Sequence, residues 1–400
     1  MVKDSSRPDY ILIIVTVILI ILGIIILTNV SAPLSLERFG TTYYFLNHQL
    51  LFGLLPGLIL AFLAFRIRLD FLKKWAPLLL LINLILLALV FLPGLGFEFR
   101  GAARWINLGP ISFQPSEFLK LTFILYLAAW LASPVRNQRF SNGASRPLHQ
   151  RAGRGHFSQT RCPALSGKGR GGWWEGRSLL AFLIVIGIIS LLLIFQPDIS
   201  TLGIIILVAG LMYFLAKTPL WQSFLIIFII ATFLFSLIKL APYRAARFLV
   251  FFDPAVDPMG IGYQIKQALI AVGSGGISGL GLGMSQMKFG FLPQSIADSI
   301  FAIFAEETGF IGSTLLIFLF LVFFWRGFRI GKLSQDKFSQ LTAWGVTAWI
   351  CLQSFINIGA MIEVLPLTGI PLPFISYGGS TLVAELVGVG ILLNILRQKV

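Results

Sequence analysis

Ten long apolar runs divide this 400-residue sequence and restrict it to one class of fold. A helix needs roughly 20 apolar residues to cross a bilayer, because every backbone polar group must be hydrogen-bonded within the segment. With 57% hydrophobic and 12% charged residues, the chain is excluded as a water-soluble enzyme. The runs predict an all-α polytopic membrane protein, a bundle of ten transmembrane helices near residues 10–29, 47–65, 75–93, 116–133, 178–195, 200–216, 221–240, 298–325, 342–361 and 376–396.

The distribution of positive charge predicts the orientation of the bundle. The chain has 31 Lys and Arg against 16 Asp and Glu, a net charge of +15. If the N-terminus lies in the cytoplasm, most of these basic residues fall in cytoplasmic loops next to spans, where basic residues are retained. We therefore expect both termini in the cytoplasm. The positive charge is then a topology signal and not a nucleic-acid-binding surface.

Two long loops interrupt the single membrane domain predicted for residues 1–400. A large extracytoplasmic loop, 241–297, lies between helices 7 and 8, and its aromatic residues and Gly-rich turns predict that it folds back onto the membrane surface. A basic cytoplasmic loop, 134–177, is rich in Gly, Arg and Ser, a composition that predicts disorder. The two cysteines, Cys162 and Cys351, give neither a disulfide framework nor a metal-ligand pattern.

Ionisable residues near or within the apolar runs are candidate functional residues, since charge at membrane depth is costly. Glu117 and Lys120 are three residues apart on one helix face, which predicts an ion pair that either orients the helix or takes part in a polar cavity. Arg104, beside Trp105, is suited either to binding a phosphate or to anchoring the chain at the membrane interface. Asp198, in a short outer turn, is expected to cap the next helix.

The outer end of the eighth run carries a further group of acidic residues. Asp298 is placed to act either as a general base at the mouth of the bundle or as a helix N-cap. Glu306 lies eight residues later, so the two carboxylates can line one cavity, although Glu306 and Glu307 more often hold helices together. The backbone N–H groups of the Gly-rich segment 273–283 are a candidate phosphate cradle, a pattern that flexible turns also show.

Seven motifs follow one another along the chain in a recognisable order. They are R104-W-I-N-L-G, Q114-P-S-E-F-L-K, Q196-P-D-I-S-T, Y263-Q-I-K-Q, G281-L-G-M-S-Q-M-K-F, L292-P-Q-S-I-A-D-S-I-F-A and P371-L-P-F-I-S-Y-G-G-S. Together they resemble the SEDS family (shape, elongation, division and sporulation), the FtsW/RodA-type peptidoglycan glycosyltransferases. D253-P-A-V-D-P is more similar to FtsW than to RodA.

This resemblance implies an enzyme of the bacterial cytoplasmic (inner) membrane. It implies a multi-pass glycosyltransferase that polymerises lipid II, an undecaprenyl-diphosphate-linked disaccharide-peptide, into glycan strands at the outer leaflet during cell division or elongation. The partners it implies are a class B penicillin-binding protein transpeptidase and the division or elongation machinery, with no nucleic acid.

The resemblance, together with the chemistry it implies, gives individual residues expected roles. Asp298 falls on the family's essential acidic position and is the expected catalytic residue. Five residues are expected to bind the diphosphate or to line the substrate cavity: Arg104, Lys266, Gln196, Asp198 and Ser376. Three are expected to support the cavity structurally: Glu117, Lys120 and Glu306. No metal-ligating residue is assigned, while a divalent cation, Mg²⁺ or Mn²⁺, stays open as a cofactor.

Two alternative functions remain open at this point. Intramembrane charges and broken helices also suit a transporter (flippase) that moves a lipid-linked precursor across the membrane. The second alternative is a catalytically impaired scaffold for the transpeptidase. It is motivated by a departure from the family pattern L-P-E-x-H-T-D-F, because this chain has Gln294, Ile296, Ala297 and Ser299 there.

Overall fold

The computed structural model describes residues 9–133 except positions 93, 100, 101, 108, 110 and 111, and then 171–216, 249–253, 257 and 259–398. Helices dominate this part of the chain. They are α1 Tyr10–Phe39, α2 Tyr44–Arg66, α3 Leu69–Leu89, α4 Pro115–Leu131, α5 Gly171–Phe195, α6 Ile199–Leu215, α7 Ile261–Ser274, α8 Ile300–Leu333, α9 Lys337–Met361 and α10 Gly379–Arg397.

The predicted spans agree with the described helices wherever the two can be compared. Helices α1, α2, α3, α8, α9 and α10 are long and apolar enough to cross a membrane, and Phe182–Phe195 and Ile199–Leu215 are shorter apolar helices. The predicted span 221–240 and most of the predicted loop 134–177 lie outside the described residues, so the count of ten stays a prediction. Helix α5 begins at Gly171, so residues 171–177, which we assigned to that loop, belong to the helix.

An ion pair marks one end of the bundle. Asp9 caps α1, and the Arg326 guanidinium of α8 contacts both its carboxylate oxygens, with Nη2 2.6 Å from Oδ2. The start of α1 and the end of α8 therefore meet. The charge distribution places the cytoplasm at this end, which we call the inner end; the opposite end, which contains Asp198 and Asp298, is the outer end.

Helix α4 lies at the centre of the bundle. Most of its residues are buried, on every side of the helix, and they include Glu117 and Lys120. A helix buried all round is enclosed by other helices. The two charged groups therefore lie inside protein and not against lipid.

A small antiparallel sheet precedes α4 at the outer end and was not predicted. Its strands are β1 Gly96–Phe99, β2 Ala102–Asn107 and β3 Ser112–Phe113, in the order β1-β2-β3. Phe97 pairs with Trp105, and Ile106 pairs with Phe113. Strands of two to six residues are too short to show a clear period-two pattern in the sequence.

The described part of the large outer loop contains a helix and a segment that docks onto α8. Helix α7 packs beside the first turns of α8 and buries Ile265, Ala268 and Ala271. Helix α8 is interrupted at Gly309, where φ is 66° and ψ is −162°. The segment after α7, residues 275–288, docks at this interruption, and we call it the docking loop.

Backbone hydrogen bonds fasten the docking loop to α8. The N–H groups of Leu280 and Gly281 donate to the carbonyls of Glu306 and Glu307, both at 3.0 Å. In return, the Phe310 N–H donates to the Gly276 carbonyl at 2.9 Å. The loop thus replaces helical hydrogen bonds lost at the interruption, as an irregular backbone in a membrane protein requires.

We predict that Gly279→Ala destabilises the protein because of this docking. Gly279 has φ +81°, and an added Cβ would lie 2.1 Å from the Glu307 carbonyl oxygen. Backbone strain and overlap together should lower the free energy of unfolding by roughly 3 kcal/mol or more. Gly276→Ala is the matched control: φ is +52°, but nothing lies within 4 Å of its Cβ position. Thermal unfolding in detergent should show the larger loss for Gly279→Ala, and equal losses would contradict the docking.

Candidate functional site

Asp298 lies at the junction of three segments at the outer end. The residue is buried, with 6% of its surface exposed. The Gln264 side-chain amide of α7 donates to its Oδ2 at 3.4 Å and to the Ser299 hydroxyl at 2.9 Å. The turn after α9 passes close by, since a Cβ on Gly369 would lie 3.6 Å from the same oxygen. Ser299, one residue later, is the N-cap of α8, so Asp298 does not occupy the cap position.

The turn between α9 and α10, residues 362–378, holds the backbone around Asp298; we call it the proline turn. Asn357 of α9 donates its amide hydrogens to the carbonyls of Asp298 and Ile370, at 2.8 and 2.7 Å. The Ser376 hydroxyl donates to the Ala297 carbonyl at 2.6 Å and accepts from the backbone N–H of Leu372. Ser376, predicted to bind substrate, therefore lies beside Asp298 with its hydroxyl engaged in anchoring.

The C-terminal end of the proline turn is hydrogen-bonded to α2. The Gln49 side-chain oxygen accepts from the Gly378 N–H at 3.1 Å, and the Tyr377 hydroxyl lies 3.0 Å from His48 Nδ1. These two contacts join the end of the turn to α2.

Arg104, Gln196 and Asp198 come together in a second cluster. The Arg104 Nε donates to the Gln196 carbonyl at 3.3 Å, and its Nη2 donates to the Pro197 carbonyl. The Asp198 carboxylate accepts from the Ser116 hydroxyl of α4 at 2.8 Å. It also accepts from the N–H of Thr201 and caps α6, which confirms its expected role as a cap.

The second cluster adjoins the group of residues around Asp298 through the proline turn. The Ser200 hydroxyl donates to the carbonyl of Thr368, whose neighbour Gly369 lies against Asp298. Lys266 does not join either cluster. It is exposed on α7, two positions and therefore about 200° away from Gln264, which faces Asp298.

The ion pair expected from the Glu117–Lys120 spacing is present. The Lys120 ammonium lies 2.8 Å from Glu117 Oε2, and both side chains are almost fully buried. The ammonium also donates to Gln353 Oε1 at 2.9 Å, and Gln353 Nε2 donates to the Pro371 carbonyl at 3.0 Å. The pair is thus connected to the proline turn through one amide side chain.

Glu306 and Glu307 fasten the docking loop. The Ser285 hydroxyl donates to Glu306 Oε2, and the Gln286 N–H donates to Oε1 at 3.3 Å. Lys288 lies 3.6 Å from Glu307 Oε1, with both side chains buried. The N–H groups of 279–281 are engaged in backbone bonds, so this part of the predicted phosphate cradle serves docking.

Four site residues were missed from the sequence. Gln264 and Asn357 contact Asp298 directly, Gln353 connects Lys120 to the proline turn, and Glu385 contacts the same turn from α10. Glu385 had a usable signal, because it is an ionisable residue within an apolar run. No three His, Cys, Asp or Glu side chains of the described ranges come together as metal ligands.

A family comparison covers nearly the whole chain. The family model FtsW/RodA/SpoVE, described as "Cell cycle protein", matches residues 9–151 and 167–400. The chain belongs to this family. It is therefore a multi-span protein of the inner membrane.

Curated relatives share about a third of their residues with this FtsW/RodA/SpoVE-family protein. Stage V sporulation protein E of Bacillus subtilis is 36% identical over 399 residues and covers 100% of both chains. The "probable peptidoglycan glycosyltransferase FtsW" of Thioalkalivibrio sulfidiphilus is 36% identical over 402 residues, covering 100% of this chain and 92% of that protein. The protein of the same name from Coxiella burnetii is 35% identical, covering 98% and 96%.

Solved structures of similar proteins share the fold over almost the full length. A chain from a study of "polymerization and crosslinking by a peptidoglycan synthase complex" has a TM-score of 0.72, 25% identity and 98% coverage of both chains. A variant of the rod shape determining protein RodA from Thermus thermophilus has a TM-score of 0.65, also at 25% identity and 98% coverage.

We predict that the Glu117–Lys120 pair stabilises this family member only as a pair. Lys120→Met leaves a buried carboxylate uncompensated and should cost about 3–5 kcal/mol. The double variant Glu117→Gln with Lys120→Met removes both charges and should recover much of that loss. Thermal unfolding in detergent measures both. A double variant no more stable than Lys120→Met would show that the uncompensated charge is not the cause.

Proposed function

We propose that this chain is a peptidoglycan glycosyltransferase that polymerises lipid II at the outer leaflet, with Asp298 as its catalytic base. The names of its FtsW relatives support the activity. The single observation that carries the residue assignment is the position of Asp298. It is a buried carboxylate where α7, α8 and the proline turn meet at the outer end, with its carbonyl held by Asn357.

The reaction is a displacement at the anomeric carbon of the growing glycan. The 4-hydroxyl oxygen of an incoming lipid II forms a bond to that carbon, and the bond from the carbon to the polyprenyl diphosphate breaks. The hydroxyl proton goes to Asp298, and the diphosphate leaves with the bonding electrons. An alcohol is a poor nucleophile, so a positioned base and a fixed reaction geometry each lower the barrier.

Gln264 orients the carboxylate in this proposal. Its amide donates to Asp298 Oδ2 and to the Ser299 hydroxyl, so one side chain connects the base to the start of α8. A charged acceptor strengthens such a hydrogen bond. The carboxylate is thereby held in one orientation before substrate arrives.

The leaving diphosphate requires positive charge nearby. Arg104 is half-buried beside Gln196. Its Nε and Nη2 atoms donate to backbone carbonyls of the second cluster. A guanidinium has five N–H groups, so others can donate to phosphate oxygens. Lys266 is exposed on α7, on the side of that helix away from Gln264 and Asp298, so Arg104 is the better placed of the two expected cations.

A divalent cation would depend on Asp298 and on the substrate. Mg²⁺ is commonly held by one or two carboxylates together with substrate phosphates. The described residues contribute no cluster of three such ligands, and Asp298 is the residue suited to that role. Bound there, a cation would neutralise diphosphate charge.

We propose a class B penicillin-binding protein transpeptidase as the partner, within the division or the elongation machinery. The solved complex of similar fold couples polymerization to crosslinking, which supports a crosslinking partner here. The family description "Cell cycle protein" supports a role in division.

We predict that Asp298→Asn abolishes polymerisation of purified lipid II while leaving membrane insertion and thermal stability unchanged. An amide cannot accept the hydroxyl proton, so the rate should fall by at least about 100-fold. Glu37→Gln, at an exposed carboxylate of the outer end of α1, is the control and should keep the wild-type rate. The assay resolves labelled glycan strands by gel, with the transpeptidase partner present.

The same assay separates the polymerase from the scaffold alternative. A wild-type chain that makes no glycan with its partner present would favour the scaffold, which the uncommon residues Gln294, Ile296 and Ala297 motivate. Wild-type rates in Asp298→Asn would refute Asp298 as the base.

We predict a smaller effect for Gln264→Leu, which removes the donor to Asp298. Loss of orientation should lower kcat by about 10-fold to 100-fold with little change in KM. Gln340→Leu, at the inner end of α9, makes the same chemical change away from the site and is the matched control. Equal kcat values for the two variants would exclude an orienting role for Gln264.

A further inference from the structure

Glu385 is a buried carboxylate that the proposed mechanism does not use. It lies in the outer half of α10 and is 1% exposed. A carboxylate inside a membrane helix is costly to bury, so its presence indicates a function. Within the described part of the chain, its Oε2 atom is hydrogen-bonded and its Oε1 atom has no hydrogen-bond partner.

The hydrogen bond of Glu385 is made to a strained residue. Glu385 Oε2 accepts from the backbone N–H of Phe374 at 2.8 Å. Phe374 has φ +63°, a left-handed conformation that a bulky aromatic residue rarely adopts unless its surroundings impose it. The carboxylate therefore satisfies a buried N–H at the position where the proline turn is most constrained.

Phe374 is enclosed from a second side by α1. A Cβ on Gly23 would lie 2.3 Å from the Phe374 carbonyl oxygen, so the two backbones are in direct contact. The Phe374 ring lies 6.0 Å from that of Phe323, in the inner half of α8. The proline turn thus lies between the helices, where no bulk water can supply a partner for a backbone group that loses its hydrogen bond.

Two and three residues after Phe374, the same turn binds the backbone just before Asp298. Ser376 donates to the carbonyl of Ala297, and the Tyr377 N–H donates to the carbonyl of Ile296 at 2.9 Å. Before Phe374, the Pro371 carbonyl accepts from Gln353. Gln353 of α9 and Glu385 of α10 therefore bind the proline turn. The turn itself binds the backbone next to Asp298.

We propose that Glu385 is a positioning residue that fixes Phe374, and through the proline turn keeps Asp298 in its catalytic place. Glu385 acts at a distance and touches no substrate. Its kinetic consequence rests on the proposed polymerase function, whereas its anchoring of residues 296–299 is measurable without activity.

The first test compares Glu385→Leu with Glu385→Gln. Leucine removes the acceptor, whereas glutamine keeps an oxygen that can accept from Phe374. We expect Glu385→Leu to lower kcat for lipid II polymerisation by about 10-fold to 100-fold with KM unchanged, and Glu385→Gln to stay within a few-fold of wild type.

Asn394→Leu is the matched control in the same helix. Asn394 is also fully buried, and its amide donates to the carbonyls of Ala64 and Ile67 at the inner end. Its loss should lower thermal stability as much as the loss of Glu385 does, and kcat per folded molecule should not fall. An equal fall of kcat in Asn394→Leu would reduce Glu385 to a general structural role and overturn the proposal.

The second test is hydrogen exchange measured by mass spectrometry on full-length protein in nanodiscs. Glu385→Leu should accelerate exchange in peptides covering 374–377 and 296–299, and Glu385→Gln and Asn394→Leu should not. Unchanged exchange at 296–299 in Glu385→Leu overturns the proposal whether or not the chain polymerises lipid II. Faster exchange there with wild-type kcat also overturns it. If wild type is inactive, faster exchange supports the anchoring and only the polymerase assignment fails.

Discussion

The membrane interior provides no water for an irregular backbone, and the outer end of this protein is organised around that constraint. The proline turn and the docking loop both leave helical geometry. Their carbonyl and N–H groups are bound by amide and carboxylate side chains or by the interrupted helix α8. Asn357, Gln353 and Glu385 each bind a backbone group of the turn or of the adjoining segment. A site in such surroundings is rigid because every group that moves loses a partner.

This rigidity explains how Asp298 is placed. Asn357 and Ser376 donate to the carbonyls of Asp298 and Ala297. Gln264 of the outer loop donates to the Asp298 carboxylate. The helices provide the fixed frame, and the described part of the outer loop supplies the Gln264 amide. Catalytic groups that are fixed before substrate binds need no rearrangement during the reaction. The clusters around Asp198 and Lys120 both end on the proline turn, so they contribute to the same placement.

The sequence predicts most of the helices and part of the site. Apolar runs of sufficient length identify spans because the bilayer imposes that length, and the three-residue spacing of Glu117 and Lys120 predicts their ion pair. Contacts between distant segments were not predictable. Ser376 and Arg104 were expected at substrate, and their described polar contacts are with backbone groups. The side of α7 on which Lys266 lies is exposed because of how α7 packs against α8. No local sequence pattern determines that packing.

In the proposed mechanism, polymerisation at the outer end joins lipid-linked disaccharides without moving them across the membrane. It is tested most directly in proteoliposomes with wild-type protein and its transpeptidase partner, with labelled lipid II confined to the leaflet that the outer end faces. Glycan strands should form from that leaflet alone, with no label appearing on the opposite side. Transfer of lipid II between leaflets without chain growth would contradict it and would identify a transporter.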